Sequence, residues 1–363
     1  MSRGEKESVA ELMSRLQAAH SEACPGMRRY TLFPLQDEKA FEFYKLQESA
    51  SWTADELDFL RDRNDYERAR PEEKRLIDTI LAFFLPGDGM VSTNLICRFL
   101  PECVSYEEQL MFVSQLRIEA IHAETYALAA MTFVRSAEKL ADFIRQAEET
   151  PCILAKTRFM EEWMLSDRPR AERMVAFACA EGIFFCSLFA IIFWFRKGDS
   201  LNFPNFIAAN QLILRDEALH RDFGCYIYQK ELREAEARGL PSPCPPERAR
   251  EIVMKSVEVE DMFIDYLLPE PLENLSAEKM KEYVRFIADL LLAQMGLAPV
   301  YDISTNPLGF MHAIAVEGKT NFYEQRNTSY QRQDLAETLN WRKRTGTEPA
   351  SGDAYNNPED VDF

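Results

Sequence analysis

Over most of its length this chain repeats apolar residues every three to four positions, the period of a helix that buries one face. The pattern predicts helices at "RLIDTILAFFL" from 75, "YEEQLMFVSQLRIEAIHAETYALAAMTFV" from 106 and "AERMVAFACAEGIFFCSLFAIIFWFRK" from 171. It predicts others at 204–237, 247–267 and 277–295. In "SWTADELDFLRD", Thr53 followed by Glu56 is a capping box and predicts a helix start. The proline-dense "LPSPCPPE" at 240–247 is a loop that no helix crosses. Residues 1–26 read as a polar leader ending at "CPG", and from about 331 the chain turns into a polar tail. That tail, "TGTEPASGDAYNNPEDVDF", is acidic with no basic residue, yet ends in the apolar Val361 and Phe363. Disorder alone does not require such residues, so the end of the tail is a candidate docking peptide.

One apolar run has two readings. Met174–Phe195 is long enough to span a bilayer. Glu181 lies inside it, though, at a cost of about 2.5–3.5 kcal/mol near the centre of a span. The run is therefore read as an all-round-buried core helix, not a membrane segment. Its glutamate then needs a partner, because buried carboxylates are paired, protonated or metal-bound.

Composition supports helices over sheets: glycine is only 13 of 363 residues, while 47% are hydrophobic, enough for a large core. The formal charge of −18 argues against nucleic acid as a partner, since phosphate binding needs basic patches. Eight cysteines are scattered without a Cys-x-x-Cys pair, and the N-terminus has no apolar signal core. A reducing, cytoplasmic location is the expectation.

The chain has four histidines, and two of them close a Glu-x-x-His phrase: Glu119 with His122, and Glu217 with His220. Residues three apart share a helix face, so each pair projects together. Tyr126, four residues past His122, stays on that face. A single Glu-x-x-His is common by chance, but two copies on helices that otherwise bury apolar faces point to a shared metal site. Carboxylates with a few imidazoles suit iron or manganese, whereas structural zinc prefers more Cys and His. Such a site in a bundle takes two more carboxylates from two further helices. Glu181 is one candidate and Asp88, bracketed by apolar residues, is the other. Each has a plain alternative: Asp88 could cap a helix after Pro86-Gly87, and Glu181 could pair with a buried base.

With these residues in view, the sequence resembles the small, radical-generating subunit of class I ribonucleotide reductase, from about Arg28 to Arg332. The phrases that carry the resemblance are "ASWTADELD", "DGMVSTNL", "IEAIHAETYAL", "VAFACAEGIFFCSLFAIIFW", "RDEALHRDF" and "EGKTNFYEQRNTSYQR", in the family's order. The resemblance implies an all-α, ferritin-like di-metal carboxylate bundle over 27–330, with 331–363 as a tail that docks on a large catalytic subunit. It implies two iron ions in a di-iron-oxo centre, with di-manganese as the alternative, held by Asp88, Glu119, His122, Glu181, Glu217 and His220.

By the same resemblance the centre activates O2 and forms a radical at Tyr126, shielded by Phe185, Phe189 and Ile213. The radical equivalent would pass by way of Trp52, Asp216 and Tyr330 to the large subunit, which reduces ribonucleotides. Val361 and Phe363 would dock the tail, and the chain would form a homodimer. Read without the resemblance, Trp52 could staple onto Leu57 and Tyr330 is a loop tyrosine. One departure stands out. Pro86 and Gly87 occupy places where the family has small residues and a serine, and a proline there is expected to bend the helix ahead of Asp88. Rival functions are a ferritin-like iron-binding or ferroxidase protein, another di-iron oxidase, and a regulatory homologue that makes no radical.

Overall fold

The computed structural model describes residue 32, residues 35–197 and residues 201–311. Among these there is no strand beyond one isolated bridge between Leu272 and Leu275. The described residues form eleven α-helices: α1 (Glu38–Ser49), α2 (Leu60–Arg68), α3 (Pro71–Asn94), α4 (Tyr106–Val134), α5 (Ala137–Glu149), α6 (Pro151–Leu165), α7 (Arg170–Cys179), α8 (Cys186–Trp194), α9 (Pro204–Ala237), α10 (Pro246–Leu267) and α11 (Ala277–Gln294). The long helices pair, α3 along α4 and α7 along α9, while α1 lies on α4 and α10 packs on α11. These two long pairs form the heart of the bundle.

The local causes are visible at the helix ends. Ser105, the N-cap of α4, accepts from the Glu108 N–H at 3.1 Å and satisfies one of the first-turn donors. Two aspartates of α2 cap α9 from a distance. Asp65 Oδ2 accepts from the Phe203 and Asn202 N–H groups at 3.0 and 3.1 Å, and Asp62 accepts from the N–H groups of Asn205 and Phe206. Anionic groups against the positive end of a helix fix where α9 begins. They also hold Phe203 in the left-handed region, at φ 36°.

Three expectations change. The capping box forms, with the Thr53 N–H donating to Glu56 Oε1 at 3.0 Å, but it opens only the single 3-10 turn Ala54–Glu56. The α-helix starts later, at Leu60. Pro86 lies inside its helix, for α3 runs from Pro71 to Asn94 with Phe83 and Phe84 fully buried just before the proline, which removes the reading of Asp88 as a cap. The apolar run from 171 is one continuous rod, but it widens into a π-helical turn at Ala180–Phe184.

Two rods, Pro71–Phe99 and Arg170–Trp194, are long and apolar enough to cross a membrane. In Arg170–Trp194 the most apolar stretch is wholly buried inside the bundle, so its hydrophobicity is spent on protein contacts. The seven cysteines among the described residues are free thiols, six of them buried.

Candidate metal centre

Four elements aim acidic or imidazole side chains at one point. α3 brings Asp88, α4 brings Glu119 and His122, the π-turn brings Glu181, and α9 brings Glu217 and His220; all six are at most 3% exposed. Placement of Glu181 depends on the wide turn, a feature often found where a helix serves a site. The next residue must be small: a Cβ on Gly182 would lie 2.8 Å from Cδ of Arg221 on α9.

One ligand atom each from Glu119, Glu181, Glu217 and His220 fall within 4.8 Å of one another. His122 borders this group, with Nδ1 at 3.0 Å from Glu217 Oε1 and 3.4 Å from Glu119 Oε2. His220 Nδ1 lies 2.9 Å from Glu119 Oε1 and 3.1 Å from Glu217 Oε2. Asp88 stands outside the tight group but interacts electrostatically with both histidines, Glu119 and Glu217.

The outward edges of the imidazoles are engaged as well. His122 Nε2 is 3.3 Å from Asp216 Oδ2, and His220 Nε2 is 3.0 Å from Gln47 Oε1. Those oxygens can accept, so each Nε2 can keep its proton while each Nδ1 is left to offer its lone pair to a cation. Asp88 Oδ2, Glu119 Oε2, Glu181 Oε2, Glu217 Oε1 and His122 Nδ1 are buried without completing a hydrogen bond.

Protonation follows from this crowding. Burial alone would lower both imidazoles, but the carboxylates of Asp216, Glu119 and Glu217 against its ring hold His122 well above its ordinary value. The charge of Glu119 and the bonds to Glu119 and Glu217 lift His220 to about 9. Burial would raise Glu119, yet the two histidines pull it down to about 2. Burial, with Glu217 and Glu119 nearby, pushes Glu181 up, and burial likewise raises Asp88. Four clustered carboxylates with two imidazoles turned lone-pair inward fit two divalent cations, whose four positive charges match four carboxylates. The residues present therefore suit a di-metal centre.

Next to the cluster, Tyr126 is fully buried. Phe84 stacks on it with ring centroids 4.2 Å apart and planes within 6°, and Phe185 and Phe189 pack on Phe84 at 5.4 and 5.7 Å. Ile213 is also fully buried, on α9. The Tyr126 hydroxyl donates to Asn210 Oδ1 at 2.8 Å. Burial, then the charges of Asp88, Glu217 and Glu119, hold the phenol far above its usual range, so the phenolate is strongly disfavoured.

On the opposite side, Trp52 Nε1 donates to Asp216 Oδ2 at 2.7 Å, the same oxygen that meets His122, and the Trp52 and His122 rings stack at 6.0 Å. The indole N–H thus goes to Asp216. Tyr330, Val361 and Phe363 lie outside the described residues.

Sequence reading missed Phe84, Asn210, Gln47 and Gln115. Gln115 donates to Glu181 Oε1 at 3.1 Å, and Gln47 Nε2 lies 3.3 Å from Asp216 Oδ1. A lone carboxamide on a helix, or one more Phe in an apolar run, carries no period that would single it out.

A helical bundle with a buried, carboxylate-rich pocket and two imidazoles defines a ferritin-like di-metal carboxylate protein. Comparison with known proteins narrows this. Residues 29–307 match the family "Ribonucleotide reductase, small chain". The ribonucleoside-diphosphate reductase small chain of vaccinia virus (strain Ankara) is 36% identical over 308 residues, covering 85% of this chain and 93% of the viral one. The Rnr4 homodimer of Saccharomyces cerevisiae superposes with a TM-score of 0.68 at 25% identity, covering 87% of this chain and 100% of that one. The dimanganese(II)-NrdF of Streptococcus sanguinis gives 0.69 at 17% identity, over 80% and 99% of the two chains, a likeness of fold. The chain belongs to the ribonucleotide reductase small-chain family, whose members work with a large subunit.

Proposed function

We propose that this chain is a working radical-generating subunit, with Tyr126 as the site of the radical and Trp52, Asp216 and His122 as the relay that leads out of the centre. The observation that carries this reading is Tyr126 itself: fully buried, stacked on Phe84, one helical turn beyond His122. Asp88, Glu119, His122, Glu181, Glu217 and His220 would hold two metal ions, iron or manganese. Bound there, such a pair supplies dioxygen reduction and one-electron oxidising power.

The chain's own residues do the rest. Since burial disfavours the phenolate, Tyr126 must give up its phenolic proton together with an electron. Phe84, Phe185, Phe189 and Ile213 exclude water and reductants, without which a phenoxyl radical does not last. Asp216 holds the Trp52 indole and the His122 imidazole on one carboxylate oxygen, a continuous hydrogen-bonded path from the cluster toward α1. Beyond it we assign Tyr330 to onward transfer, and Val361 and Phe363 to docking of the 331–363 tail on the large subunit. Homodimerisation and a cytoplasmic location complete the reading. Bulky Phe185 and Phe189 pack on Phe84 beside Tyr126, where a substrate would have to lie, which disfavours a substrate-oxidising di-iron enzyme.

The test is ribonucleoside-diphosphate reduction by the metal-loaded chain with a large subunit. Tyr126→Phe is expected to abolish turnover, and a peptide copying the last residues to inhibit only while it retains its terminal Phe. Full activity of Tyr126→Phe would refute the assignment.

A further inference from the structure

A carboxamide among the apolar side chains packed around Tyr126 calls for an explanation. Asn210 is fully buried on α9, one turn before Ile213 and seven residues before Glu217, on the same face. A buried amide is costly unless both its ends are paired, and both are. Its Nδ2 donates to the Phe206 carbonyl one turn back at 2.7 Å, and its Oδ1 accepts from the Tyr126 hydroxyl at 2.8 Å. A backbone carbonyl can only accept, so Nδ2 must face Phe206 and Oδ1 must face Tyr126. The direction of the phenolic hydrogen bond is thereby dictated from α9.

We propose that Asn210 is a positioning residue for Tyr126: its Oδ1 holds the phenolic O–H in one direction and so fixes the ring over Phe84. This deepens the radical reading and rests on it for its purpose, while the geometry itself stands apart from any metal. Three features of the site act together. Phe84 fixes the plane of the ring by stacking, Asn210 fixes the hydroxyl, and the Phe206 carbonyl locks Asn210. An amide oxygen is too weak a base to keep the proton, so Asn210 orients the hydroxyl without becoming its proton acceptor.

The test begins with metal-free, full-length protein carrying tyrosine isotope-labelled at Cζ, whose chemical shift reports whether the hydroxyl donates. Loss of one resonance in Tyr126→Phe assigns Tyr126. In Asn210→Leu, of similar shape but with no acceptor, this resonance is expected to move upfield. In Asn210→Asp it is expected to stay at the wild-type position, because a carboxylic acid kept neutral by burial copies both hydrogen bonds. An unmoved resonance in Asn210→Leu would overturn the proposal. Should Asn210→Leu fail to fold, Asn210→Asp decides: the wild-type position supports the proposal and a displaced one overturns it.

The second arm is electron paramagnetic resonance of metal-reconstituted protein. Asn210→Leu is expected to change the β-methylene proton splitting of the tyrosyl signal, which follows the ring's torsion angle, and an identical splitting would count against positioning. If wild type forms no radical while the Cζ shifts behave as expected, the radical reading fails and the positioning of Tyr126 stands.

Discussion

Both nitrogens of each central imidazole are committed, and opposite commitments make the site. Nε2 of His122 and of His220 face outward to Asp216 and Gln47, while each Nδ1 faces carboxylate oxygens within 3.4 Å. Without a cation, a proton on Nδ1 is what relieves those carboxylates. His220 then titrates near 9 instead of 6.5, so its contribution to stability is fully present below about 6.5 and is lost as pH rises toward 9. His122 is shifted in the same direction. Metal-free protein is therefore expected to lose on the order of 3 kcal/mol across that window. Metal-loaded protein should not, because the cation replaces the proton. Thermal melts of both forms across this range check this; a flat profile for the metal-free protein would contradict it. Asp216→Asn tests the outer contact: it should weaken metal binding about 10–100-fold, as losses of a histidine's outer partner do. A competition titration with a chelating indicator reads that change. Glu119, His122, Glu217 and His220 could be picked out of the sequence because their spacing repeats, and Asp88 and Glu181 because each is an acid inside an apolar run. Asn210 and Gln47 could not, because a lone amide has no period, and its partners lie 84 and 169 residues away in sequence.

At the scale of elements, the π-turn at Ala180–Phe184 is the least ordinary piece and has its own support. Lys156 of α6, fully buried, donates to the Phe184 carbonyl at 2.7 Å and lies 2.7 Å from Glu260 Oε2 of α10. Its ammonium sits 3.7 Å from the centre of the Phe263 ring, and Ser187 donates to the other oxygen of Glu260. Burial pushes Lys156 down and Glu260 up, so each depends on the other for its charge. Lys156→Met leaves Glu260 alone and frees a carbonyl three residues from Glu181; the expected loss is about 3 kcal/mol in urea denaturation. Lys156→Met with Glu260→Gln should recover part of it. Equal stability of wild type and the single variant would remove this support from the account.

Long helices were legible because their apolar stripes persist: 106–134 and 204–237 match the predicted spans. Short ones were not. In α2, "LRDRNDYER", only Leu60 and Tyr66 are apolar, and Asp62 and Asp65 tie the helix to α9 instead. By contrast, Leu140, Phe143 and Ala147 in α5 have helical spacing, so that helix was there to be read. The π-turn has no sequence signature, since its widening answers contacts from α6, α9 and α10.

Across the whole molecule, the apolar rods enclose the charged centre, and the order of elements lets distant phrases meet. α3 with α4 and α7 with α9 bring phrases as far apart as Asp88 and His220 around one centre, while α1 lies over the side where Trp52 meets Asp216. Protons relieve the crowded carboxylates in the metal-free chain, and cations would take their place in the loaded one. Family membership points to the reaction, and on the proposed reading the buried tyrosine beside the cluster is this chain's part in it. The most direct test of that part is electron paramagnetic resonance after metal-free protein has been reconstituted with ferrous iron or manganous ion and dioxygen. About two metal ions per chain are expected, with a tyrosyl radical signal that vanishes in Tyr126→Phe while metal uptake is unchanged. Full metal uptake with no tyrosyl signal under any activation condition, or an undiminished signal in Tyr126→Phe, would contradict that reading.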